Sequence, residues 1–376
     1  MSYPLRQNRS IFFLNVCLSL MLPVAGHPQK ICGSEDSTTV ISGTGKVFNQ
    51  VALSAAIPRF SGSVLVAEKK DVLLKREYQN TKRKEPCEGL HERSYWIASL
   101  SKQFCAAAIL KLNDSGQLNL NDSISKFIET IPRDKSAITI HQLLTHTSGM
   151  PDLYSADGIS ERNKAIEMIL KDDLLFLPGT NYAYSNQGYN LLAILVEIVA
   201  GVPYEEFLAV HFFQPLSLTM SGHIGDQGVH QQLSVAPPEK KVKSGIGPSP
   251  QGWAVNYGYK GSTGVLSSPT DLSRWFHNLY QGNVLSKERT ALLFKRHVVK
   301  SEKVFYGYGW NLFNDAIGEV IVHSGYDDFI GHSSTLRFYP GSGKLFIVLS
   351  NTKGLDAKRP IAQSLVRKFL NSMNRE

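Results

Sequence analysis

The chain is poor in cysteine, with four in 376 residues. That is too few for a disulfide-built scaffold, and none falls in C-x-x-C or in a Cys/His spacing that holds zinc. His141 and His146 stand five apart, a poor metal spacing, so no metal or organic cofactor is expected. The formal charge is +8, yet the sequence lacks an Arg/Lys stripe interleaved with aromatics, so no nucleic-acid partner is expected. K-R-K at 82–84 reads as a solvated loop. G-T-G-K at 43–46 lacks the spacing of a phosphate-binding loop and reads as a turn. G-x-S-x-G is absent, which disfavours the α/β-hydrolase fold. There is no internal repeat.

Acidic residues are also absent from the first 26 positions, which hold Arg6, Arg9 and the apolar run I-F-F-L-N-V-C-L-S-L-M-L-P-V-A. A basic start, an apolar centre and the small residues Val24-Ala25-Gly26 have the form of an export signal peptide. The run is short for a bilayer span and is interrupted by Asn15 and Pro23, so no stable membrane anchor is expected. The expected division is a signal peptide over 1–26, an N-terminal segment over 27–44 and one domain over 45–376. The product would be periplasmic or secreted. Cys17 leaves with the leader. Cys32 and Cys87 can pair in an oxidising compartment, while Cys105 lies in an apolar helix and reads as a small buried side chain.

Apolar residues make up 42% of the chain, enough for a sizeable core. Residues 43–60 read as an approach segment. From Gly62, S-V-L-V-A, E-K-K-D and V-L-L-K-R-E-Y read as a β-hairpin. Ser99 to Asn113 is apolar all round, a helix buried on every face, stopped by D-S-G. Further helical patterns cover Ile140–Leu144, Arg162–Leu170, Gln187–Gly201, Tyr204–His211 and Asp271–Gln281. Residues 226–258 form a surface loop or lid. Strand signals return at Val320–His323, Ser333–Phe338 and Leu345–Leu349, the last two joined by P-G-S-G. A final helix aligns Ile361, Leu365 and Phe369. The fold class is therefore α+β: an antiparallel sheet from both chain ends, flanked by helices, with a mainly helical subdomain inserted.

Within this frame Lys102 is out of place. A lysine in the first turn of a buried helix meets desolvation and the positive helix end together, and both disfavour its charge. At i+3 it shares a face with Ser99, and an amine that sheds its proton near neutrality can activate a hydroxyl. Ser99 taken alone reads as a helix cap. Tyr184-Ser185-Asn186 reads as a turn, and His323 as a histidine at a strand end. Trp253, Tyr257, Tyr259 and Trp310 are candidates for a cleft lining, or for the core.

S-x-x-K at 99–102, then Y-S-N at 184–186, then His323-Ser324-Gly325 on a late strand, in that order, resemble the serine β-lactamase and penicillin-binding-protein superfamily. The closer likeness is to the class C β-lactamase and D-Ala-D-Ala carboxypeptidase type. Supporting stretches run from about residue 45 to 370: F-S-G-S-V-L-V-A, W-I-A-S-L-S-K-Q-F, L-L-T-H-T-S-G-M, P-G-T-N-Y-A-Y-S-N-Q-G-Y and G-S-T-G-V-L-S-S-P-T-D-L. The resemblance implies Ser99 as acylated nucleophile, with Lys102 and Tyr184 sharing the proton traffic. Tyr184 would act as a phenolate-like base and later as acid to the leaving group. Asn186 would hold Lys102 and a substrate amide, and His323, Ser324 and Gly325 would line the opposite wall. The backbone N–H groups of Ser99 and Tyr326 would form the oxyanion hole. Implied partners are small peptides, amides or esters, peptidoglycan D-alanyl peptides among them, with β-lactams as inhibitors. One departure stands out. The β-lactamases carry lysine where this chain has His323, and a neutral imidazole pulls less on a carboxylate than an ammonium does. That favours a carboxypeptidase-like or esterase-like hydrolase over a β-lactamase. A non-catalytic wall-peptide-binding or self-assembling relative is the remaining alternative.

Overall fold

The computed structural model describes residues 29–32, 39–40, 43–53, 60–80, 92–224, 226, 255–327, 331–352 and 360–373. The signal peptide, the Cys32–Cys87 pairing, Trp253 and nearly all of the 226–258 loop lie outside the described side chains.

Alternating apolar residues build the central sheet. β3 (Gly62–Glu68) and β4 (Asp71–Asn80) form the expected hairpin, and Lys69 takes a left-handed φ of 56° in its turn. The C-terminal strands are β11 (Glu319–Tyr326), β12 (Ser333–Tyr339) and β13 (Lys344–Ser350). Between hairpin and C-terminal strands come β8 (Val298–Ser301), β9 (Val304–Tyr306) and β10 (Asn311–Asn314). With β1 (Gln29–Cys32) at one edge, the strand order is β1-β4-β3-β13-β12-β11-β10-β9-β8, and β2 (Thr39–Val40) also pairs with β4. Every pairing is antiparallel, and β3 meets β13 with Val64 opposite Val348. The two chain ends thus share one sheet, as the strand signals predict.

The strands are apolar on both faces because both faces are covered. On one side Val64, Val66 and Val348 pack with Phe48, Leu365 and Phe369. These come from α1 (Gly43–Leu53) and α9 (Ile361–Met373). The turn expected at G-T-G-K is instead the first turn of α1. Gly45 has no room for a Cβ against the Leu73 carbonyl, so helix and hairpin approach at van der Waals contact. Phe48, stacked on Phe346 and tilted against Phe369 at ring-centroid distances of 5.9 and 4.8 Å, supplies the apolar anchor that overrides the glycines.

On the other side Leu65, Ile347 and Leu349 face a second core. It contains α2 (Lys102–Asp114), α5 (Asn186–Ala200) and α7 (Pro269–Tyr280). The helical insertion also carries α3 (Ile140–Leu144), α4 (Arg162–Lys171), α6 (Tyr204–Leu208) and α8 (Lys287–Leu293). Beside it stands a small sheet of β5 (Tyr95–Trp96), β7 (Val265–Ser267) and β6 (Gly222–His223). Cys105 is buried and free, as expected of its helix. No helix among the described residues is long and apolar enough to cross a membrane.

Candidate active site

Ser99 does not cap α2. It lies in a 3-10 turn, Ala98–Ser101, that runs into the α-helix at Lys102, and no side chain caps that turn. In a 3-10 turn residues i and i+3 eclipse, so Ser99 and Lys102 stand directly one above the other. The turn is held by three hydrogen bonds, two to Val265 of β7 and one to Ser334 of β12. Ile97 N–H donates to the Val265 carbonyl at 3.1 Å, Val265 N–H donates to Ser101 Oγ at 3.0 Å, and Ser334 Oγ donates to the Ile97 carbonyl at 2.6 Å. Ala98 has φ +46°, a left-handed conformation costly for a residue with a Cβ. It tips Ser99 out of the buried run, whose neighbours Leu100 and Ser101 are wholly enclosed.

Lys102 is 0% exposed. Its Nζ lies 3.2 Å from Ser99 Oγ, 2.6 Å from Asn186 Oδ1 and 3.0 Å from the Ser262 carbonyl. Burial pulls its pKa from an ordinary 10.5 down to about 7, against a smaller upward pull from Asp152. A neutral amine has two N–H donors and one lone pair. The carbonyl oxygens of Asn186 and Ser262 take both donors, and the lone pair is left facing the Ser99 hydroxyl.

Y-S-N is positioned by the start of α5. Ser185 caps the helix, its Oγ accepting from Gly188 N–H at 3.0 Å and donating to the Pro151 carbonyl at 2.9 Å. Asn186 is the first helical residue. Asp152 Oδ1 accepts from Asn186 N–H at 3.0 Å and from Nδ2 at 2.8 Å, which orients the amide with its oxygen toward Lys102. Asn186 holds Lys102 as expected, while its Nδ2 is committed to Asp152 rather than turned to a substrate.

Tyr184 lies beside both groups. Lys102 Nζ is 4.8 Å from its ring centroid, and its hydroxyl is hydrogen-bonded to Ser99. Burial drives the phenol well above its usual pKa, further than the Ser99 hydrogen bond draws it back. The resting site therefore favours a neutral amine and a protonated phenol over the expected phenolate. His146 clasps the tyrosine. Its carbonyl accepts from Ala183 N–H at 2.9 Å, its Nδ1 accepts from Ser185 N–H at 3.1 Å, and its ring lies 4.4 Å from the Tyr184 ring. The T-H-T-S-G-M-P loop is thus structural and also reaches the site.

β11 forms the facing wall, and here strand alternation splits the predicted triplet. His323 and Gly325 point toward Ser99. A Cβ on Gly325 would strike the Ile97 carbonyl and lie 2.8 Å from Ser99 N. Ser324 points to the opposite face, where its Oγ meets Thr335 Oγ1 at 3.0 Å and it shares a pocket with Gln363 of α9. Its expected place on the catalytic wall is corrected accordingly. His323 is buried, and that burial, helped by Lys102 and Lys300, holds it neutral. Its Nδ1 contacts the Ser324 carbonyl at 3.0 Å and Nε2 lies 3.2 Å from the Tyr306 hydroxyl, so Nδ1 carries the proton and Nε2 accepts. Tyr326 ends β11 opposite Ser333, one residue beyond Gly325.

Of the expected cleft aromatics, Tyr257, Tyr259 and Trp310 are buried. Trp310 packs with Phe276 and Phe294 in the core, Tyr257 donates to Glu197, and Tyr259 donates to Asp157. The aromatics that meet Lys102 are Tyr184 and Tyr189, with Nζ 4.8 and 5.5 Å from their ring centroids, while Tyr182 and Tyr306 pack against His146; of these the sequence gives a role only to Tyr184. Asp152 and Ser262 are also new. Both had a nearby signal: Asp152 directly follows T-H-T-S-G-M-P, and Ser262 is the first serine of G-S-T-G-V-L-S-S-P-T-D-L.

A family profile described as Beta-lactamase matches residues 52–370. The chain belongs to the beta-lactamase family. Relatives include Penicillin-binding protein 4* of Bacillus subtilis (strain 168), 28% identical over 78% of this chain and 68% of that one. Protein flp of Staphylococcus aureus (strain MW2) is 28% identical over 77% of this chain and 59% of its own length. Among solved structures, the octameric penicillin-binding protein homologue from Pyrococcus abyssi is 25% identical with a TM-score of 0.69, covering 88% of this chain and 78% of that one. The D-amino acid amidase from Ochrobactrum anthropi SV3 is 19% identical with a TM-score of 0.71, covering 89% and 99%. That likeness is one of fold. Within the family, the S-x-x-K, Y-S-N and third-triplet segments of this chain converge on one cleft.

Proposed function

We propose that the protein is a serine hydrolase that passes through an acyl-enzyme on Ser99. The observation that carries the reading is the wholly buried Lys102 amine, 3.2 Å from Ser99 Oγ and with a pKa near 7. Ser99 gives its proton to Lys102 as Oγ bonds to the substrate carbonyl carbon. The negative oxygen that develops is held by the Ser99 and Tyr326 backbone N–H groups. Tyr184, protonated at rest, gives its proton to the leaving nitrogen or oxygen as that bond breaks, and Lys102 restores it. Water then attacks the acyl carbon by the same proton path, and Ser99 recovers its hydrogen.

The preferred substrates are peptides, amides or esters, in a carboxypeptidase-like or esterase-like mode. The name of one relative, a penicillin-binding protein, agrees with peptidoglycan D-alanyl peptides as the leading class. A neutral His323 weighs against efficient β-lactam hydrolysis. A purely binding relative has no use for a buried lysine that costs stability. The basic, apolar leader supports export to the periplasm or medium.

A fluorophosphonate or fluorescent penicillin tests the reading. Labelling that disappears in Ser99→Ala is the expected result. No labelling and no turnover at any pH would leave only the binding relative. In a panel of D-Ala-D-Ala peptide, p-nitrophenyl ester and nitrocefin, the ester is turned over and nitrocefin slowly or not at all. Fast nitrocefin hydrolysis would overturn the weight placed on His323.

A further inference from the structure

The cleft has a neutral imidazole where an ammonium is expected, but it does not lack a cation. Lys300, on β8 at the far edge of the sheet, reaches the same tyrosines. Its Nζ stands 6.0 Å from the Tyr184 ring centroid and 5.9 Å from that of Tyr306, the residue whose hydroxyl meets His323.

The local backbone explains this reach. β8 and β9 pair with Val298 opposite Tyr306 and Val299 opposite Phe305, then slip so that Ser301 faces Val304. Lys300 is the extra residue of that β-bulge. Bulges bend a strand and re-aim a side chain. Asn311 fixes the result from β10, the strand beyond β9: its Oδ1 accepts from Lys300 Nζ at 2.8 Å, while its Nδ2 lies 3.5 Å from the Val322 carbonyl, next to His323.

Three other cations are occupied. Arg296, four residues earlier, pairs with Glu319. Lys260 is buried between Glu197 and Glu205. Lys102 is turned to Ser99. Among the described residues Lys300 has no carboxylate partner, and it is solvent-exposed. An ammonium has three donors, and Asn311 takes one. Two remain for an anion lying over Tyr184.

We propose that Lys300 is a specificity residue of this cleft, binding a free carboxylate on the leaving-group side of the substrate. The proposal rests on the acyl-enzyme reading above, since Tyr184 marks the leaving-group side only if it protonates the departing atom. The preferred substrate is then an acyl donor whose leaving portion is an anionic unit, such as a C-terminal amino acid with a free carboxylate. A neutral amide or alcohol is the poorer leaving portion. The cation comes from the sheet edge in place of the strand that carries His323.

The test uses a pair of substrates differing only in that charge, acetyl-D-alanyl-thioglycolate and acetyl-D-alanyl-thioglycolamide, with thiol release as readout. The wild-type ratio of kcat/KM, carboxylate over carboxamide, should exceed unity by about tenfold, the scale of one charge-assisted hydrogen bond. It should shrink as salt is added. Lys300→Met should bring the ratio to about one, Lys300→Glu should invert it, and Lys300→Arg should restore most of it. An unchanged ratio in Lys300→Met and Lys300→Glu, or a wild-type ratio of one, overturns the proposal and leaves the hydrolase standing. Absence of turnover with both substrates, together with an unlabelled Ser99, removes the hydrolase reading and this proposal with it.

Discussion

At the scale of single residues, the site depends on keeping one amine uncharged. Lys102 is protonated below about pH 7 and its lone pair is then lost to Ser99. Acylation, read as kcat/KM or as labelling rate, should therefore rise with pH through an apparent pKa near 7 and level off above it. Asp152 raises that value. Removing its charge in Asp152→Asn should move the acid limb to lower pH, and a shift in the opposite direction would contradict the assignment. Linkage has the same sign. The unfolded lysine binds a proton up to about pH 10.5 and the folded one only to about 7. Lys102 therefore contributes a rise in stability with pH across that window, seen as a steeper increase of Tm in the parent than in Lys102→Met. The oddity of Lys102 was legible in the sequence, because burial of a whole apolar run is a short-range property. Asp152 was not, since nothing local says that a residue 34 positions before Asn186 will take its amide hydrogens.

Elements decide where those residues point. Gly325 is the place where β11 touches the Ser99 turn, and a methyl group there meets backbone rather than a movable side chain. Gly325→Ala should cost about 1–3 kcal/mol in denaturant unfolding, by overpacking, and lose labelling of Ser99 as well. Stability and labelling both at parent levels would show that strand and turn have more slack than the structure gives them. His146 makes the corresponding contribution on the other wall. His146→Leu removes the acceptor of Ser185 N–H and loosens Tyr184. It should lower kcat more than it raises KM, whereas a change confined to Tm would mean that the histidine is only packing. The hairpin, the late strands and the last helix followed from periodicity. Ser324 was misplaced because a motif is read as three letters in a row while a strand turns each successive side chain over. Lys300 was invisible for a related reason: a one-residue slip in pairing leaves no mark in the run V-V-K-S.

For the whole molecule, the question is what holds the sheet against its terminal helices. Phe369 of α9 is 0% exposed and lies against Phe48 and Phe346. Phe369→Ala should cost about 3–5 kcal/mol in equilibrium unfolding. The loss should fall on global stability, with the pH dependence of labelling in the surviving folded fraction unchanged. The α+β arrangement was readable because strands cluster at both ends of the sequence and helices between. α1 was not, because two glycines and a lysine at its start outweigh Phe48 in any local reading, and only the far end of the chain shows what Phe48 packs against.

The pairing of β3 with β13 sets a schedule for folding. Val64 finds its neighbour Val348 only after some 280 intervening residues have left the ribosome. A nascent chain stopped just short of β13 has two part-sheets, β1-β4-β3 and β12-β11-β10-β9-β8, and no strand to join their open edges. Such a topology closes slowly, since its longest loop must be drawn in before its central strands gain anything. Protease resistance in a pulse-chase should thus appear in one late step after β13 is released, and not build up gradually as synthesis proceeds.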